Sequence, residues 1–419
     1  MMFTRWQILY KSRTTFLLSS LLAFIPMATS AADAINVGDR PAKLIAGLPD
    51  GELRSTLTAC ASNEATRSDF SISHRGAPFQ YPEHTREGYI AAVNSGAGIV
   101  ECDVTFTSDQ ALVCRHSQCD LHSSTNILST PLAQKCSVPP NIDSSTPFSE
   151  VKCCTSDLTV AEFKSLYGRF DKANKKAKTL DEYLSLKNTP HAEASVTSGT
   201  LMTHGESIDL FHSLGVKMIP ELKAADVTMP FQLSGGGEWT QEQYAQAMVD
   251  EYKERSIDSA DVFLQSFNLD DVKYWVKQAP EFGKQAAWLD GRYRDGSFNI
   301  ENEQSWMPTM TELVDAGVST LAPPMWMLLA LDDDKNMVAS SYARSAKAAG
   351  LNLIGWTLER SGPLAKGGGW YYQTIKPVVK NDSAIYQAIH VLAQDVGVQG
   401  MFSDWPATTT YYANCFGLD

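Results

Sequence analysis

The chain has 419 residues, 43% hydrophobic and 20% charged, an ordinary globular composition with apolar material for one large domain or two smaller ones. Its formal net charge of −13 and pI near 5.1 exclude nonspecific nucleic-acid binding, which needs a basic face to displace counterions from phosphates. Any attraction for an anionic substrate has to come from a local site.

At the N-terminus, Arg5, Lys11 and Arg13 precede the apolar run 15–27 and the small residues 28–32. This is the order of a secretory signal peptide, expected over residues 1–31. The run falls short of the ~20 residues a membrane span requires, so no stable span is expected once the signal is removed. A secreted or periplasmic location follows, and the eight cysteines fit an oxidising compartment. Cys60 and Cys415 lie near the ends of the mature chain and suit each other as partners. Residues 32–67, without clear periodicity, are expected as an N-terminal extension on the surface of a domain over 68–419.

From Phe70 onward strand-like and helix-like stretches alternate. Short apolar runs fall at 70–74, 98–105, 111–116, 217–223, 261–267, 285–290, 320–323, 351–359 and 398–404. Amphipathic stretches of helical length lie between most of them, at 86–94, 241–255, 269–278, 306–316, 340–349 and 384–396. Thr240 with Gln243 forms a capping box, Asn268 is placed to cap the helix after it, and Gly96, Gly317 and Gly350 stand where helices should stop. Such alternation predicts a parallel sheet covered by helices, and about eight units close naturally into a (β/α)8 barrel. An open doubly wound sheet is the alternative, though no glycine-rich dinucleotide fingerprint follows the first strand. A barrel needs ~250 residues, so the surplus must sit in insertions. The largest is expected after the second strand, over about 118–203, where Cys119, Cys136, Cys153 and Cys154 suggest a disulfide-stapled segment. A second long connection, 366–380, opens with Gly367-Gly368-Gly369-Trp370 and is a candidate lid. The Gly235-Gly236-Gly237 run lacks the Lys-Ser/Thr of a phosphate loop and reads as a flexible loop.

In a barrel, reactive groups collect at the C-terminal ends of strands. Alternate side chains on a strand share a face, so Glu101 and Asp103 point the same way, and Glu221 and Lys223 repeat that logic. Carboxylates repel one another in a half-buried strand unless a cation is held there. Glu101, Asp103 and Glu221 around an open position suit one hard divalent cation, Ca2+ or Mg2+. His74 and His116 are then placed as a general acid and base pair, and Arg75 and Lys223 supply positive charge for an oxyanion. Metal, imidazoles and cations together describe a phosphodiester-cleaving site.

The motifs that carry this chemistry are His74-Arg75-Gly76, Pro82-Glu83-His84-Thr85, Glu101-x-Asp103, Thr107-x-Asp109, His116, Pro220-Glu221-Leu222-Lys223, Gly355-Trp356-Thr357 and Ser403-Asp404-x-Pro406. In number and order the set resembles the glycerophosphodiester phosphodiesterase family, especially its secreted or periplasmic branch, over about residues 70–406. The resemblance implies a (β/α)8 barrel with one divalent cation on Glu101, Asp103 and Glu221. It further implies His74 and His116 as catalytic acid and base, Arg75 and Lys223 on the phosphate, and Trp356 lining the substrate pocket. The implied reaction releases sn-glycerol 3-phosphate and an alcohol from a small-molecule glycerophosphodiester. The chain departs from the family pattern at His116-Ser117, where an acidic residue usually follows the histidine.

Two rival readings are carried forward. One is a related barrel phosphodiesterase acting on intact phospholipid, which a wide apolar rim near Trp370-Tyr371-Tyr372 would favour. The other is a secreted binding protein without turnover, for which Ser117 would be the first sign. Asp404 is read as a rim or ligand residue, Arg75 as a possible partner of Glu83, and His84, His122, His191, His204, His212 and His390 as structural or surface residues.

Overall fold

Eight short parallel strands form the centre of the molecule. They are β1 (Ser68–Ser73), β2 (Ala97–Val100 continuing as Asp103–Phe106), β3 (Lys217–Met218 continuing as Glu221–Leu222), β4 (Gln265–Ser266), β5 (Ala287–Leu289), β6 (Thr320–Ala322), β7 (Asn352–Gly355) and β8 (Gly400–Ser403). The computed structural model describes residue 2 and residues 34–187, 189, 194, 196–233, 235–361 and 363–419. Apart from Met2, the expected signal peptide lies outside the described residues, as does His191.

Each strand pairs in parallel with the next, from β1–β2 through β7–β8. β8 pairs in turn with β1, Ser71 opposite Met401 and Ser73 opposite Ser403, so the sheet closes on itself as a (β/α)8 barrel. The open sheet is thereby set aside. β3 is interrupted at Pro220, which has no N–H for the ladder. Pairing continues on either side, from Ile219 N to the Val100 carbonyl and from Glu221 N to the Cys102 carbonyl.

The barrel interior is one apolar cluster of Ile72, Ile99, Ile219, Ala287, Leu289, Ala322, Ile354 and Phe402, with half-buried Phe263 and Phe267 packed against it on either side of β4. A larger cluster fills the space between barrel and helices. Helix ends follow the sequence signals. Thr240 and Gln243 cap each other around Gln241–Glu254, and Asn268 accepts from the Asp270 N–H at the start of Leu269–Gln278. Gly96, Gly317 and Gly350 all adopt positive φ just past helix ends, a conformation that costs glycine nothing. The stretch 306–316 is helical only over Met310–Asp315, with Thr309 as its cap, and the last amphipathic stretch passes from an α-helix at Ala384–His390 into wider π turns at Val391–Val396.

Several regions differ from the sequence expectation. The N-terminal extension forms two helices, Arg40–Ala46 and Glu52–Ala59, and buries Leu44, Ile45, Leu48 and Leu57 in the outer core. These helices are too short for a periodic signal, and Cys60 is bonded to Cys415. The Gly235-Gly236-Gly237 run turns a small hairpin between Phe231–Gln232 and Glu238–Trp239. The run 111–116 is the return strand Leu112–Cys114 of a hairpin with β2. After it, the described residues of 118–203 include a separate apolar cluster with Leu121, Ile127, Phe148, Phe163 and Tyr183. The bonds Cys119–Cys154 and Cys136–Cys153 staple this segment. The fourth disulfide, Cys102–Cys114, crosses the hairpin beside the predicted metal ligands and was not foreseen.

Candidate active site

A cavity of about 490 Å³ opens at the C-terminal ends of the strands, lined by His74, Arg75, Glu101, His116, Glu221, Lys223 and Trp356 among others. Seven of the eight residues singled out in the sequence therefore face one space. The eighth, Asp103, is fully buried directly beneath it, and Glu101, Asp103 and Glu221 each offer a carboxylate oxygen within 4.8 Å of the others. Neighbouring strands create this cluster, because register places Asp103 opposite Glu221 and Glu221 opposite Gln265.

Local turns aim the remaining groups. Arg75 and Gly76 both adopt positive φ directly after β1, and a Cβ at Gly76 would come within 3.0 Å of the Gly88 backbone at the start of the helix Arg86–Asn94. The tight turn needs that glycine. It leaves the Arg75 N–H donating to Glu101 Oε2 at 3.0 Å. On the hairpin, Arg115 N donates to the Asp103 carbonyl at 2.8 Å, which places His116 at the cavity edge.

The carboxylates carry more negative charge than their surroundings offset. Two like charges ~4 Å apart cost about 4 kcal/mol even at an effective permittivity of ~20. Burial, together with repulsion from Asp103 and Glu221, pushes Glu101 well above the usual carboxylate range. Glu221 is pushed up to about 7 by burial, against the pull of Lys223 2.7 Å away. Asp103 takes the ionised form: against its own burial, Lys223 and His84 hold it well below the usual range. Its Oδ1 has no hydrogen-bond partner. A compact, buried, all-oxygen donor set with an unsatisfied lone pair and mutual repulsion fits a hard divalent cation.

His74 is held by Asp404, whose Oδ1 lies 2.7 Å from Nδ1. An ionised carboxylate only accepts, so Nδ1 carries the proton and Nε2 faces the cavity as a bare acceptor, 4.0 Å from Glu101 Oε2. Burial lowers the pKa of His74, with Asp404 opposing. His116 lies well below the normal imidazole range, through burial and the nearby Arg75 and Lys223.

The sequence profile of the glycerophosphoryl diester phosphodiesterase family matches residues 74–408. The chain belongs to that family. This phosphodiesterase is 43% identical over 254 residues to a protein of Arthroderma benhamiae named "Extracellular protein", a span of 59% of this chain and 100% of that relative. A shorter stretch of 49 residues, 12% of this chain and 18% of the relative, is 49% identical to a Mycobacterium tuberculosis protein named "Probable glycerophosphodiester phosphodiesterase 1". A solved Silicibacter pomeroyi structure assigned to the glycerophosphoryl diester phosphodiesterases shares the fold. It has a TM-score of 0.56 at 18% identity and covers 87% of this chain and 99% of its own.

Sequence reasoning overlooked several side chains bonded to the site residues of this phosphodiesterase. His84, read as structural or surface, is fully buried, and its Nε2 donates to Asp103 Oδ2 at 2.8 Å while Nδ1 accepts from the Tyr89 hydroxyl at 2.9 Å. Burial lowers its pKa to about 4, so it is a neutral donor that orients a carboxylate. Its place in Pro82-Glu83-His84-Thr85 was the available signal. Gln265 Nε2 donates to Glu101 Oε1 at 2.9 Å. Arg75 is indeed paired with Glu83, at 2.9 Å. Arg360, without any motif to mark it, bridges Glu83 at 2.8 Å and Asp404 at 3.0 Å. At the departure from the family pattern, the Ser117 hydroxyl donates to Asp226 on the loop after β3 at 2.8 Å. That carboxylate also lines the cavity.

Opposite these polar groups stands an aromatic wall of Phe267, Tyr293, Trp356, Trp370, Tyr371 and Phe402. Trp370 packs against Tyr371 and Tyr293 with ring centres 4.9 and 5.2 Å apart, yet is 41% exposed. Tyr372 is buried below, donating to the Leu358 carbonyl, so the exposed rim is narrower than the three-residue run suggests.

Proposed function

We propose that the enzyme hydrolyses glycerophosphodiesters to sn-glycerol 3-phosphate and an alcohol with the help of a divalent cation, Ca2+ or Mg2+, on Glu101, Asp103 and Glu221. The observation that carries this reading is that two imidazoles, two cationic side chains and the carboxylate trio meet around one cavity. When bound, the cation would polarise the phosphoryl oxygen and help organise the attacking oxygen. Arg75 and Lys223 bind the phosphate anion. His74, kept in one tautomer by Asp404, accepts the proton of the attacking water at Nε2. His116 returns a proton to the departing alcohol oxygen, so that one water is added across the broken P–O bond. Burial and the two cations keep His116 neutral, and a bound phosphodiester offsets the cations and so favours its protonation. Trp356 and its aromatic neighbours contact the organic part of the substrate.

Four disulfides, the basic-apolar-small order of residues 1–31 and the name of the Arthroderma relative support a secreted enzyme. Among the described residues no helix is long and apolar enough to cross a membrane. A second reading, an intact phospholipid substrate, is favoured by one feature, the exposed indole of Trp370 at the mouth.

The test is release of glycerol 3-phosphate from glycerophosphocholine by the purified mature chain with Ca2+, with Mg2+ and with chelator, beside Glu101→Ala and His74→Ala. Metal-dependent release lost in both variants is the expected result. Absence of release from glycerophosphocholine with turnover of phosphatidylcholine would replace the first reading by the second.

A further inference from the structure

The carboxylates behind His74 and Arg75 are not independent of each other. Asp404 holds the imidazole through Nδ1 at 2.7 Å, and Glu83 holds the Arg75 guanidinium at 2.9 Å. Both carboxylates are buried, and each has a second cationic partner in common, the Arg360 side chain. Nη2 of Arg360 lies 2.8 Å from Glu83 Oε1 and 3.0 Å from Asp404 Oδ1, while Nε reaches Asp404 Oδ1 and Oδ2 at 3.2 and 3.3 Å. Cation and carboxylate therefore alternate through Arg75, Glu83, Arg360 and Asp404, a series that joins the phosphate cation to the neutral imidazole of His74.

We propose that Arg360 is a positioning residue that holds His74 and Arg75 in register with one another by clamping Asp404 and Glu83 with a single guanidinium. The proposal rests on the parts assigned to His74 and Arg75 above. A planar guanidinium fits this task because its fork bonds two carboxylates at fixed angles, which an ammonium does not do. Removing it leaves two buried carboxylates with one partner each, and each then competes for the group it was aiming. Asp404 draws on the imidazole alone and Glu83 on Arg75 alone. Arg360 stands only a few residues before the glycine-rich connection that carries Trp370 and Tyr371 to the rim, so the clamp also ties that connection to β1 and β8.

Arg360→Ala, Arg360→Lys and His74→Ala are compared with the unaltered enzyme. In Arg360→Ala, kcat is expected to fall roughly 10- to 100-fold with a smaller change in KM, the effect of misplacing rather than removing catalytic groups. Guanidinium chloride at millimolar concentration restores part of that loss, sodium chloride at equal ionic strength does not, and Arg360→Lys lies between. Unchanged kcat in Arg360→Ala overturns the clamp, as does a loss that guanidinium leaves untouched while Arg360→Lys is no better. An independent readout needs no turnover. The 15N imidazole resonances of His74, assigned by their absence in His74→Ala, shift in Arg360→Ala, and unmoved resonances overturn the proposal. His74→Ala with full turnover sinks the assignment of His74 instead, which separates the two failures. Should Arg360→Ala not fold, the double variant Glu83→Gln/Arg360→Met, with less unpaired buried charge, takes its place in both measurements.

Discussion

The two sides of the cavity are built from different strands and from different kinds of side chain. From β1 to β3 the wall is polar: buried His74, Arg75, Glu101, Asp103 and Glu221 and half-buried Lys223, each bonded to a neighbour that fixes its direction. From β4 to β8 the exposed wall is mainly aromatic, Phe267, Tyr293, Trp356, Trp370 and Tyr371, with rings that touch edge to face. Directional groups have to be held within a fraction of an ångström to act on a phosphate. An aromatic face tolerates small displacements of whatever lies on it. The polar side should therefore govern turnover, and the aromatic side affinity and substrate choice.

The largest effect should come from the polar side. Glu101→Ala removes a carboxylate of the trio and is expected to lower turnover by about 10³-fold or more, with fold retained, because transition-state charge loses several kcal/mol of stabilisation. Assay at saturating Ca2+ beside circular dichroism checks it, and a change confined to KM would break the division between the walls.

Behind the meeting point of the two sides lies Glu359, which accepts from the Ser403 hydroxyl and the Asp404 N–H, and which burial pushes up to about 7. Its unfolded value is near 4.3. Between these values the folded protein binds more protons than the unfolded chain, so stability is fully present below about pH 4 and falls as pH rises through 7, by about 4 kcal/mol at most. Urea unfolding at several pH values should show this slope reduced in Glu359→Gln, and an unchanged slope would assign the proton uptake elsewhere.

His84→Ala tests whether a residue that never reaches the cavity still belongs to the polar side. A lost outer partner typically costs 10–100-fold in metal affinity, and Ca2+ titration by calorimetry should show roughly that. The smallest effect is expected at Trp370→Ala, where loss of one aromatic contact, about 0.5–1.5 kcal/mol, should raise KM roughly 2- to 12-fold and leave kcat alone. A fall in kcat with KM unchanged would place Trp370 with the chemistry instead.

The residues that could be read from the chain alone were those whose meaning is local. Period-two alternation placed Glu101 with Asp103 on one face, period-3.6 stripes and Thr, Asn and Gly caps marked the helices, and the motif His74-Arg75-Gly76 marked the first strand end. Arg360 carries no such mark, and Ser117 was marked only as a departure from the family pattern, not as a partner of Asp226. Arg360 matters because β7 and β8 bring it between Glu83 and Asp404, 277 and 44 positions away in sequence. The Cys60–Cys415 pair was suggested by its place near the two ends, whereas Cys102–Cys114 is explained only by hairpin register.

By itself, then, the sequence determined the alternation of elements, the family and the residue types available for chemistry, because these depend on spacing along one strand, one helix or one turn. Only the tertiary structure decided that the sheet closes between β1 and β8, that His84 points inward to Asp103, and that one guanidinium serves two carboxylates. Those outcomes depend on which distant segments become neighbours when the apolar faces of eight strands are buried together. Burial also removes the water that would otherwise screen and solvate each charge, which is why pairing decided there governs what the site can do.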